Sequence, residues 1–241
     1  MMPNPLSRTA YLVSAWITFF YLLTLVFKIV VFLVYPVGEE SRQHFLFQGG
    51  YPAYQLATCL TLIFLIAMLY PLLVICMYNY PISPIASIAA FLALFLAFSV
   101  QLGLQSVYLL RMQIELPNVM STMDGPHVQE NVLLELYQFL QLQRYLSLPV
   151  ALLQMVAGII LAITLSSEPA INFLVKTAFG ILVFHQVIYL TALHRSLHWV
   201  EYPSKVPYLF FEAIVCVLLL IWFIYGVFKT KETGHPTSPS L

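Results

Sequence analysis

The chain has 241 residues, of which 61% are hydrophobic and only 8% charged, with 10 basic and 10 acidic side chains that cancel. Soluble domains carry about 25% charged residues, so this composition excludes an ordinary water-soluble domain. The zero net charge also offers no global field for nucleic acid or acidic partners.

The first apolar run extends from Tyr11 to Tyr35. It exceeds the ~7–15 residues of a signal-peptide core and lacks a small-residue exit, so it reads as a retained helix. Five further runs follow: Pro52 to Tyr78, Ile85 to Leu110, Tyr145 to Leu165, Ile171 to Leu193, and Tyr208 to Phe228. About 20 residues cross a hydrocarbon core some 30 Å thick. In lipid the backbone must satisfy its own polar groups, which makes each run a helix. The expected fold is all-α: a polytopic bundle of six transmembrane helices, one domain over 1–228. A polar, disordered tail is expected over 229–241.

Six spans put both termini on one side, here side A. The longer connections lie on the opposite side B. Lysines and arginines are nearly balanced between the two sides, so the positive-inside rule does not orient the chain. In the second run Pro71 should kink the helix. Before the fourth span, Val128 to Arg144 is amphipathic and starts after Gly125-Pro126. This helix either lies in the interface or extends the fourth span beyond the membrane. Cys59, Cys76 and Cys216 all lie within apolar runs and read as small buried hydrophobes, not a disulfide framework.

Ionisable residues inside a membrane are costly and mark candidate sites. Three stand out. Glu212 lies early in the last span, Lys28 at the side-B end of the first, and His185 near the middle of the fifth. Glu212 and Lys28 are at compatible depth for a pair. His185 has no second histidine at its depth, which argues against a bis-histidine haem, and with Gln186 it should face the bundle interior.

At the end of the fifth span His194, His198 and Glu201 are spaced i, i+4, i+7 and share one helical face. Two imidazoles and a carboxylate suit a divalent metal. Interfacial belts also collect His, Trp and Tyr; Trp199 and Tyr202 fit that role. No other cofactor is implied. Nucleotide-binding and hydrolase signatures are missing from the sequence.

The function expected from these features is non-catalytic: a small multi-pass protein, transporter-like or an accessory membrane subunit. A membrane-embedded metal enzyme with its polar site at side B is one alternative. A structural subunit of a larger complex is another. The expected surroundings are a lipid bilayer, in a plasma or bacterial inner membrane, and a membrane-protein partner. The small-molecule ligand is left open.

Overall fold

A computed structural model of the chain describes residues 6–34, 51–122, 126–166, 170–196 and 206–232. The elements among these residues are helical. They are α1 (Arg8–Val34), α2 (Pro52–Ala67), α3 (Leu69–Asn79), α4 (Pro84–Val107), a π-helical segment (Tyr108–Glu115), α5 (Leu116–Thr122), α6 (Pro126–Thr164), α7 (Asn172–Ser196) and α8 (Val206–Glu232). Six spans are long and apolar enough to cross a membrane, with α2 and α3 together forming the second. The chain is a multi-pass integral membrane protein.

Proline explains the irregularities. Pro71 has no N–H to offer the Ala67 carbonyl and its ring crowds that carbonyl. The helix breaks there: Met68 sits between α2 and α3 with φ −64° and ψ −17°. Pro117 acts likewise on the Gln113 carbonyl. That carbonyl instead accepts a 2.9 Å hydrogen bond from Gln55 Nε2. Just before the proline the helix is wound wide, with the Leu116 N–H bonded to the Arg111 carbonyl five residues back. Pro126 opens α6, as its fixed φ suits a first turn. Pro149 lies inside α6 without ending it. The amphipathic stretch and the fourth span are thus one helix of 39 residues, roughly 60 Å long at about 1.5 Å per residue.

Each span packs on its sequence neighbours, and α1 packs along α8, closing the six into a ring. Towards side A one core draws on every span. Tyr11, Ile75, Leu94, Leu161, Phe179 and Phe223 are all buried there. Small residues bring the helices close. A Cβ on Gly226 of α8 would collide with the Tyr11 ring of α1, and one on Gly158 would lie 2.7 Å from Val183 Cγ2.

Two buried asparagines tie the same end together. Asn79 Nδ2 donates to Ser87 Oγ at 3.2 Å and Thr164 Oγ1 at 2.9 Å, linking α3, α4 and α6. Asn172 Nδ2 donates to the Tyr78 hydroxyl and the Ser166 carbonyl, both at 3.2 Å. Its Oδ1 accepts the Trp222 indole N–H at 3.1 Å. Trp222 in turn meets Tyr11 and Tyr78 edge-on, with ring centroids 5.5 and 5.2 Å away.

Towards side B the core divides. Leu25 and Ile29 of α1 pack with Leu209 and Cys216 of α8. Separately, Met112, Leu116, Val132, Leu136 and Phe139 form the core of a helical hairpin made by the π segment, α5 and the first part of α6. Arg111 clamps this hairpin. Its Nε and Nη2 reach Glu135 Oε1 and Oε2 at 2.5 and 2.9 Å, and Nη1 reaches Glu115 at 2.5 Å. The fork matches the carboxylate in direction as well as charge, which fixes the angle between the two helices. α8 also runs beyond Phe228 to Glu232, carrying the helix into the start of the polar tail.

Candidate functional site between the first and last spans

The contact between α1 and α8 is the most extensive in the bundle. It also contains Lys28 and Glu212, one on each helix. Lys28 lies a little under three turns beyond Thr18 along α1, and Glu212 lies near the start of α8. Each is only half-buried in the protein, and lipid or water must fill the remainder. They do not form a direct ion pair, yet each lies within reach of the other's charge. The Tyr21 phenol and the Cys216 thiol also lie within the field of Glu212. Two elements therefore place a carboxyl, an ammonium, a phenol and a thiol together at bilayer depth.

The spacing on α1 gives the cause. Ser14, Tyr21 and Lys28 repeat at i, i+7, i+14, with Thr18 and Leu25 on the adjoining ridge of the same face. That face begins at Tyr11, which α8 covers with Trp222 and Gly226, and ends beside Leu209. Polar residues therefore lie along a helix contact that is otherwise apolar. Tyr21, Ser14 and Thr18 were not evident as site residues from hydropathy alone, because single hydroxyls hardly lower the mean of an apolar run. The heptad spacing of Ser14 and Tyr21 with Lys28, and Thr18 one turn from Ser14 on the same face, was the available signal.

His185 lies outside this group. It is buried on α7 and stacks on Phe211, at 5.6 Å between centroids, with Tyr208 at 5.4 Å. Gln186 Nε2 donates to Gln154 Oε1 at 2.6 Å and approaches His185 Nδ1 at 3.4 Å. Both residues face inward, bridging α6, α7 and α8. The interaction of Gln186 with Gln154 is the interhelical amide bond expected within lipid, worth about 0.6 kcal/mol on average. His185 Nε2 has no hydrogen-bond partner.

The His194, His198 and Glu201 group cannot be placed. His198 and Glu201 lie outside the described residues, as do Trp199 and Tyr202, and of His194 only the helical backbone is described. Among the described residues, no three His, Cys, Asp or Glu side chains are grouped to hold a metal. Comparison with protein-family models, curated proteins and solved structures gives no match.

Proposed function

We propose that the chain is a non-catalytic, transporter-like membrane protein that carries protons at the α1–α8 contact. Glu212 is the titrating group and Lys28 is its counter-charge. The observation that supports this is the placement of a half-buried amine and a half-buried carboxyl on the first and last spans, whose mutual contact is the most extensive in the bundle. Intramembrane ionisable groups are expensive, and their default reading is a site on an ion or proton path. Glu212 suits the role because Lys28 is close by but does not occupy it as a contact ion pair.

The test is proton uptake. Purified full-length protein in liposomes containing a pH-sensitive dye should collapse an imposed pH gradient faster than empty liposomes. Glu212→Gln, which keeps shape but cannot exchange a proton, should return the rate to that of empty liposomes. Equal rates for empty and protein-containing liposomes would overturn the proposal.

The hairpin supports a second reading, an accessory subunit of a larger membrane complex. α5 and the beginning of α6 continue past the level of Gln55, at the start of α2, and have their own small core. On that reading the native chain, extracted in mild detergent, migrates in an assembly larger than itself. Arg111→Ala, which loosens the hairpin, then reduces it to a single chain. Migration of the unsubstituted protein as a single chain would remove this reading.

A further inference from the structure

Hydroxyls within these spans normally turn back onto their own helix. Thr24 bonds the Phe20 carbonyl, Thr58 that of Tyr54, Thr61 that of Ala57 and Thr164 that of Ile160, each four residues back. This is the usual way to satisfy a hydroxyl in a membrane helix. Ser14 and Thr18 depart from the pattern. Both side chains have 0% exposure, and neither hydroxyl has a hydrogen-bond partner. An unpaired buried hydroxyl costs about 1–3 kcal/mol, so two of them, one turn apart on one face, call for an explanation.

Their position supplies one. On the same face, Tyr21 and the Lys28–Glu212 pair lie towards side B. Towards side A, past Tyr11, is a small cavity of about 20 Å³ lined by Tyr11, Tyr78, Asn172, Trp222, Tyr225 and Lys229. That volume holds roughly one water. Polar groups thus recur from the side-B pair to the side-A cavity, and the ring of Tyr11 packed on Trp222 is the barrier between Ser14 and that cavity.

Resting on the proton-carrying reading above, we infer that Ser14 and Thr18 form the middle of a hydroxyl relay. It carries protons from Glu212, by way of Tyr21, to the Tyr11–Trp222–Asn172 plug at side A. Hydroxyls one turn apart have Cβ atoms about 5–6 Å from each other, a gap that one water entering with the proton would span. Each hydroxyl accepts a proton on a lone pair as it releases its own, leaving every O–H bond count unchanged. A proton enters from water at side B onto the Glu212 carboxylate and leaves to water at side A. The titratable groups facing Glu212 from α1 are Lys28 and Tyr21, and Cys216 faces it from α8 itself. On α7, His185 and Tyr189 face the neighbouring α8 rings of Tyr208 and Phe211.

The experiment is the liposome assay with Ser14→Ala/Thr18→Val, which removes both hydroxyls at nearly constant volume. Because the lost groups have no protein partner, this variant should melt at or above the temperature of the unsubstituted protein. Its proton uptake should fall by roughly tenfold or more, the scale on which a positioned proton-transfer group acts. Thr18→Ser keeps a hydroxyl and should retain uptake. If the double variant is folded and conducts normally while Glu212→Gln does not, the relay is wrong and the role of Glu212 stands. If Glu212→Gln also conducts normally, or the unsubstituted protein conducts nothing, the proton-carrying reading falls and takes the relay with it. Should the double variant melt early, Thr18→Val alone decides: unchanged uptake in that variant overturns the relay.

Discussion

Glu212→Gln should lower the thermal stability of the detergent-solubilised protein, and adding Lys28→Met should restore most of the loss. The single change strands the Lys28 ammonium beside an apolar surface formed by Leu25, Ile29 and Leu209. Breaking a fully buried pair costs about 3–5 kcal/mol, whereas replacing both partners by apolar groups can be neutral or stabilising. Here the charges are half-buried and not in contact, so the expected loss is about 1–2 kcal/mol. Lys28→Met alone should also destabilise, by leaving the carboxylate without its counter-charge. A double-mutant cycle isolates the coupling. Identical melting of the unsubstituted protein and Glu212→Gln would show that the two residues ignore each other.

Asn172→Leu should be the most damaging single substitution in the side-A core, with a loss of about 2–4 kcal/mol. Leucine has the same branched four-atom skeleton and is no smaller, so the effect is not a cavity. It orphans the Trp222 indole N–H and removes a donor from the Tyr78 hydroxyl and the Ser166 carbonyl. Hydrogen bonds between membrane helices average only about 0.6 kcal/mol because a loosened chain finds other partners. The Trp222 N–H has no such freedom, since its ring is held between Tyr11 and Tyr78. Asn172→Asp keeps the acceptor for Trp222 and should lose less. Melting of Asn172→Leu within experimental error of the unsubstituted protein would mean that the asparagine is not the knot its bonds suggest.

The six spans were legible because hydropathy is a property of a single segment, and each segment is apolar enough to declare itself. Prolines were legible in the same way: the break around Pro71 and the start at Pro126 follow from one residue's missing N–H. What escaped was relational. Pro117 marks the wide turn before it, but the turn also needs Gln55, from another helix, to take up the freed Gln113 carbonyl. Arg111 and Glu135 are separate polar residues in the sequence and a two-point clamp only after the hairpin forms. Asn79 and Asn172 stood at the ends of runs, where asparagine is unremarked, yet both are fully buried. Lys28 and Glu212 were visible because charge in a membrane is conspicuous. Ser14 and Thr18 were not, because a hydroxyl in an apolar run is ordinary until its geometry shows that it does not bond to its own helix.

The closure of the ring by its first and last members also bears on how the protein is made. During synthesis at about 5–20 residues per second, α1 enters the membrane long before α8 exists. Until then Lys28 has no counter-charge, and its long stem lets the ammonium lean out to the side-B surface. Tyr11 likewise has no Trp222 or Gly226 to receive it. The seam that α1 leaves open is therefore closed only when α8 arrives. A nascent chain stopped anywhere before Val206 presents an unpaired cation and an open seam, the kind of surface by which membrane quality control could tell an unfinished protein from a finished one.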